Sequence, residues 1–205
     1  MSSVHVSVVK VGGSLLTLAD LPQRLRRWLS EQSTSYPESH IVLITGGGKW
    51  VDAIRAIDEH NSLGDERAHW ICVALMDVTA GLVGAMLPEL VVAETFGELG
   101  HRLAEPGVTL LCPGEFVAHE EPTLAGTRLP EDWSVTSDAI AGRLAIALAA
   151  EELVLLKSAR PPVSSDTVDW LAQLATAGYV DRFLPKLASE LPAVKCIDFH
   201  SIGEA

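Results

Sequence analysis

Residues 4–16, VHVSVVKVGGSLL, decide how this chain is read: an apolar run ends in a lysine and opens at once into two glycines and a serine. Val4, Val6, Val8, Val9 and Val11 are β-branched, and a run this continuous suits a strand covered on both faces, as in a parallel sheet. Lys10 then sits near the strand's carboxyl end, where open α/β sheets gather their ligands. Gly12 and Gly13 permit close backbone approach, so N–H groups of the turn can face an anion beside the lysine charge. Gly12, Gly13 and Ser14 suit an ordinary strand-to-helix turn equally well, and both readings stay open on this stretch alone.

A second turn of the same kind follows. Residues 40–45, HIVLIT, read as a strand that runs straight into Gly46, Gly47, Gly48 and Lys49. This is no Walker loop, because the four-residue spacer before GK is missing and Trp50 stands where Ser or Thr is needed. Between the two turns, residues 18–33 place Leu21, Leu25, Trp28 and Leu29 on one helical face, with Arg24, Arg26 and Arg27 read as solvated.

Further on, the patterning predicts helices over 51–60 and 65–86, a strand over 90–93, a helix capped by Thr95 to about 103, and a strand over 108–112. Residues 119–131 read as irregular and lead into LPEDWSVTSDAIAGRLAIALAAEELVLLK, residues 129–157. There Thr136 or Ser137 can cap an alanine-rich helix, Asp138 complements its dipole, and a strand ends at Lys157. A helix over 167–177, a short helix over 185–190 and a last strand over 193–199 complete the chain. The alternation implies an α/β fold, a three-layer αβα sandwich around a mainly parallel sheet, forming one domain over residues 1–205.

Composition narrows the function. With 205 residues, 48% of them hydrophobic, the chain can bury a substantial core. A formal charge of −12 argues against a nucleic-acid or anionic-membrane surface, so any positive site must be local. Cys72, Cys112 and Cys196 have neither disulfide-framework nor zinc-site spacing, which suits a reducing cytoplasm. No apolar run approaches the roughly 20 residues of a spanning helix, and no signal core opens the chain, so a cytoplasmic protein with no membrane partner is expected. His69, Cys72 and Met76 serve packing as readily as a site. The seven histidines form no HExxH or clustered metal set, so no dedicated protein metal site is expected. A dinucleotide-binding oxidoreductase would need GxGxxG after the first strand and a hydrolase GxSxG, and neither occurs.

Three motifs in chain order, KVGGS at residues 10–14, TGGG at 45–48 and TSDAIA at 136–141, resemble the amino acid kinase superfamily, the fold of aspartate, acetylglutamate, carbamate and uridylate kinases. The resemblance implies phosphoryl transfer from ATP, accompanied by Mg²⁺, to an anionic acceptor. It gives Lys10 the transferring phosphoryl group and Gly12, Gly13 and Ser14 the donor phosphates, with Lys157 and Ser158 also on the nucleotide side. Gly46, Gly47, Gly48, Thr136 and Ser137 fall to the acceptor, and Asp138 to orienting the lysines. A second active-site lysine is expected before a late helix, and Lys186 in FLPKLASEL fits that place. An acceptor-binding part over about 1–135 and an abbreviated nucleotide-binding part over about 136–205 follow, as does a homo-oligomer.

The chain departs from the pattern after Lys157, where LLKSARPP replaces a TDVDG-like turn, so a binding protein without turnover is the alternative to an enzyme. Within the superfamily, the short length and LPEDWSVTSD most resemble the small kinases of methanofuran biosynthesis, which act on an aminomethylfuran methyl phosphate. A carboxylate or amino-acid-like acceptor is the runner-up. Glu115, Glu120, Glu121, Glu131 and Asp132 read as solvated acids or, in part, as partners for a primary ammonium on the acceptor.

Overall fold

The valines of β1 (His5–Val11) divide between two cores in a computed structural model that describes residues 4–202. Val8 packs with Leu153 and Leu155 of β5 (Glu152–Lys157) and with Ala141 and Leu144 of α5 (Ser137–Ala147). Val9 and Val11 face the other way, onto Leu21, Leu25, Trp28 and Leu29 of α1 (Leu21–Ser35). Burying each such side chain contributes roughly 1.5–3 kcal/mol, so the alternation commits the strand to a central position.

With β2 (Ser39–Thr45), β3 (Val91–Ala93), β4 (Gly107–Leu111) and β6 (Ala193–Asp198), the strands form one sheet in the order β3-β4-β2-β1-β5-β6. Every pairing among the described residues is parallel. The carboxyl ends of β1, β2 and β5 therefore lie side by side in the middle of one sheet edge, where crossovers leave in both directions.

The remaining helices are α2 (Lys49–Asn61), α3 (Asp65–Met86), α4 (Phe96–Arg102) and α6 (Trp170–Thr176). By length and composition α3 is apolar enough to cross a membrane, although its acidic Asp77 interrupts the run; in this fold it packs against α2, β2, β3 and β4. Asp77 accepts a 2.9 Å bond from the Gly114 N–H.

Several expected boundaries shift for local reasons. The first helix starts at Leu21 because a 3-10 turn, Gly13–Thr17, follows the glycines and buries Leu15. The stretch over 119–131 is only partly irregular, since a π-helical turn, Phe116–Glu120, and a 3-10 turn, Glu121–Thr123, occupy its start. Glu121 is not a solvated acid: it is buried, and its Oε1 lies 3.0 Å from Nε of the fully buried Arg143. Arg24 is half-buried against Asp20 and the chain's last described turn, whereas Arg26 and Arg27 are exposed. The late helix begins at Trp170, not 167, after Asp169 adopts a left-handed φ of 54°.

Candidate active site

Register brings two lysines to one point. Lys10 of β1 pairs with Leu155 of β5, so Lys157, two residues on, projects from the same face of the sheet. That face is covered by α5, whose first turn presents Asp138. Lys10 Nζ lies 3.0 Å from Asp138 Oδ1, and Lys157 Nζ lies 2.7 Å from Oδ2. One buried carboxylate thus bridges two ammonium groups. Lys157 also donates to the Tyr179 carbonyl at 2.8 Å.

The electrostatics separate the three groups. Burial alone would raise the Asp138 carboxyl, but the charges of Lys10 and Lys157 and their hydrogen bonds hold it at about 2. For Lys10 burial wins: it lowers the pKa from the ordinary lysine value, Asp138 opposes that shift, and the Lys157 charge adds to it. Asp138 therefore stays a carboxylate, and its negative charge offsets the repulsion between the two neighbouring ammonium groups and links them.

The two glycine turns abut each other above this triad. Gly48 has φ 60°, and a Cβ on Gly13 would stand 2.8 Å from the Gly46 carbonyl and run into the Gly48 backbone. A Cβ on Gly46 would stand 2.8 Å from Ser137 Oγ and 3.3 Å from Lys10 Cε. The strand ends, the first turn of α5 and both lysines therefore converge within contact distance. Ser14 Oγ donates to Ser158 Oγ at 2.9 Å, joining the turn after β1 to the turn after β5.

A cavity of about 520 Å³ opens over this convergence. Lys10, the five glycines of the two turns, Ser14, Thr136, Ser137, Lys157 and Ser158 all line it, and Asp138 closes it from behind through the lysines. Lys186 does not line it. Asp181 accepts bonds from the N–H groups of Phe183 and Leu184 and starts a 3-10 turn, Leu184–Leu187. That turn buries Leu184 and Leu187 and leaves Lys186 exposed, its Nζ 5.0 Å from the Phe183 ring centroid. The place beside Asp138 expected for Lys186 is taken by Lys157.

Other lining residues carried weaker signals. His69, Cys72, Val73 and Met76 share one face of α3 by their spacing, yet spacing cannot show that the face fronts a cavity. Burial keeps His69 below the ordinary histidine pKa and lifts the Cys72 thiol to about 11. Trp133 and Arg55 line the cavity as well. Asp181, outside every motif, caps α5: it accepts Thr136 N at 3.0 Å, Thr136 Oγ1 at 3.0 Å and Ala139 N at 2.8 Å. Neither Thr136 nor Ser137 caps through its own side chain. Burial and the neighbouring Asp138 charge push the Asp181 carboxyl up to about 6.

Backbone N–H groups, two cations and an organising carboxylate around one cavity are suited to binding anions and to stabilising charge that develops on them. Solved structures share the fold. A uridylate kinase from Archaeoglobus fulgidus superimposes with a TM-score of 0.61 at 18% identity, covering 96% of this chain and 92% of that one. An aspartate kinase from Synechocystis gives 0.59 at 17% identity, covering 93% of this chain and 38% of the other. The sequence is also similar to the (5-(aminomethyl)furan-3-yl)methyl phosphate kinase of Methanocaldococcus jannaschii, with 25% identity over 150 residues. That match spans 72% of this chain and 63% of the relative, less than two thirds of its length. Residues 5–160, which carry both glycine turns, Asp138 and Lys157, match the amino acid kinase family, and the chain belongs to it.

Proposed function

We propose that this chain is a small-molecule kinase that transfers the terminal phosphoryl group of ATP to an acceptor already anionic at neutral pH. A phosphate monoester such as (5-(aminomethyl)furan-3-yl)methyl phosphate is the leading acceptor. The observation that carries this reading is the bridging of Lys10 and Lys157 by Asp138 beneath two abutting glycine turns. The relative that acts on that furan phosphate, by its name, supports the choice of acceptor.

The chemistry asks little of a base. An oxygen of the acceptor's phosphate forms a bond to the γ-phosphorus, the bond to the bridging oxygen breaks, and ADP leaves with the electron pair. Total charge is conserved and no proton has to be removed, so the task is positioning and screening of two anions. Lys10 faces the group in transit, and Lys157 and Ser158 with Gly12, Gly13 and Ser14 hold the donor side. The absence of Cβ atoms at Gly13 and Gly48 lets the backbones of the two turns abut, which suits phosphate oxygens that need backbone N–H donors from both. Mg²⁺ bound with the nucleotide supplies further neutralisation. Gly46, Gly47, Gly48, Thr136 and Ser137 receive the acceptor over the apolar face of α3. Functionally, the acceptor part lies mainly over about 1–135 and a short nucleotide part mainly over about 136–205, with Gly12, Gly13 and Ser14 crossing to the donor side and Thr136 and Ser137 to the acceptor. Exposed Ile71, Val78, Leu82 and Met86 on α3 support a homo-oligomer, and the free cysteines support a cytoplasmic setting.

Incubating the protein with ATP, Mg²⁺ and a panel of the furan phosphate, UMP, acetylglutamate, aspartate and carbamate tests the reading through ADP release. Release with the furan phosphate is expected. Turnover of a carboxylate alone would move the acceptor to the second branch, and turnover of no compound by a protein that binds ATP would favour the binding-protein alternative, which the departure after Lys157 supports.

A further inference from the structure

The cavity adjoins a second one of about 370 Å³, and Arg55, Trp133, Thr136, Lys157, Gly178 and Tyr179 line both. Lys157 is committed to Asp138. Arg55 is committed to nothing of opposite charge. It stands on α2 with Asp52 and Asp58 one turn away on either side, a spacing that ordinarily closes an ion pair. Among the described residues, however, no carboxylate comes within ion-pair distance of its guanidinium.

At Asp58 both oxygens are engaged elsewhere. Oδ1 accepts the Gly64 N–H at 3.1 Å, and Oδ2 accepts Trp133 Nε1–H at 2.8 Å. The same indole then offers its face to Arg55, whose guanidinium carbon lies 4.2 Å from the ring centroid. Trp133 thus engages one Asp58 oxygen and supports the Arg55 guanidinium, which lines both cavities. In a chain of net charge −12, a half-buried arginine that forms no ion pair among the described residues, although Asp52 and Asp132 line the same cavity, is an exception that needs a use.

We infer that Arg55 is the anchor for the acceptor's own phosphate group, a specificity-determining residue that Trp133 supports and that Asp58 positions through Trp133. The inference rests on reading the cavity as a kinase site with a phosphate-bearing acceptor. The acceptor, not the nucleotide, is favoured by place: α2 grows from the second glycine turn, and Arg55 lines the cavity together with His69, Cys72 and Met76 of α3. A guanidinium offers a planar pair of N–H donors that matches two phosphate oxygens, which a lysine ammonium cannot reproduce.

The test uses inorganic phosphate as probe, titrated calorimetrically into the intact protein, together with steady-state kinetics on the furan phosphate. Arg55→Gln should weaken phosphate binding at least about tenfold and raise KM for the acceptor by a similar factor, with KM for ATP changed less than about threefold. Arg55→Lys should fall between the two. Asp58→Ala should weaken binding as well, and Asp58→Asn, which keeps an acceptor for Trp133 Nε1, should restore it. Phosphate binding by Arg55→Gln within about twofold of the parent, or no phosphate binding by the parent at millimolar concentration, overturns the anchor. Arg55-dependent phosphate binding in a protein that phosphorylates no monoester upholds the anchor and rejects the kinase reading. Turnover of a monoester with unchanged acceptor KM in Arg55→Gln does the reverse.

Discussion

Lys157 Nζ lies 2.7 Å from Asp138 Oδ2 although the two residues come from the end of a strand and the start of the preceding helix. The contact follows from parallel register: β5 pairs with β1 so that Lys157 shares a sheet face with Lys10, and α5 lies over that face. Lys157 thus occupies the place beside Asp138. Lys157→Met should lower kcat by about a hundredfold or more, as loss of a transition-state cation commonly does. Lys186→Met should leave kcat within about threefold, because Lys186 is exposed and outside the cavity. The reverse pattern in ADP-release assays would return the role to Lys186.

Lys10 is buried on β1 with its Cε beside Gly46 and its Nζ 3.0 Å from Asp138 Oδ1, and its substitution tests chemistry apart from folding. Lys10→Met keeps most of the apolar stem and should abolish measurable turnover, by about a hundredfold or more. Retention of near-parental activity in the same assay would remove Lys10 from the reaction.

Much of this site could be read from residue order, and the part that could not has a physical explanation. The β-branched run before Lys10 and the apolar run before Gly46 demanded buried parallel strands, and the glycines after them demanded tight turns at the ligand edge. What local patterning cannot convey is which distant segment completes a group's hydrogen bonds. The first turn of α5 is capped by Asp181, 45 residues beyond Thr136, in place of its own hydroxyls. Glu121 read as solvated because its partner, Arg143, is 22 residues away on a helix whose residues after Asp138 are otherwise apolar or glycine. Lys186 fitted by position alone, and only the 3-10 winding of Leu184–Leu187 shows that it faces outward.

Asp138 and Asp181 give opposite pH signatures. Asp138 is depressed to about 2, so its stabilising effect is complete above the ordinary Asp pKa near 3.9 and is lost as pH falls through about 2. Asp181 is raised to about 6, so between about 4 and 6 the folded state holds a proton that the unfolded chain has released, and stability falls as pH rises. The Tm of the parent should therefore decline relative to Asp181→Asn as pH rises from 4 to 7. A difference in Tm that is constant across that range would show that Asp181 does not carry the raised value.

The buried pair of Arg143 and Glu121 gives the last prediction. Arg143 Nη2 donates to the carbonyls of Leu124 and Ala125, Glu121 Oε1 accepts the Leu129 N–H, and Glu190 accepts the Thr127 N–H beside Arg143. One guanidinium thus orders the backbone over 121–129, the segment that leads to Asp132, Trp133 and the capped start of α5. Arg143→Met leaves the Glu121 carboxylate buried without its cation, which should cost about 3–5 kcal/mol in urea denaturation at neutral pH. Adding Glu121→Gln removes the stranded charge while keeping an acceptor for Leu129, and should recover part of that loss. The order of the segment depends on the guanidinium bonds to Leu124 and Ala125, so the double variant should keep a raised acceptor KM even as stability returns. Full recovery of both would show that the pair serves stability alone, and failure of the second substitution to recover any stability would show that the cost of Arg143→Met comes from lost packing and backbone bonds, not from the unpaired charge.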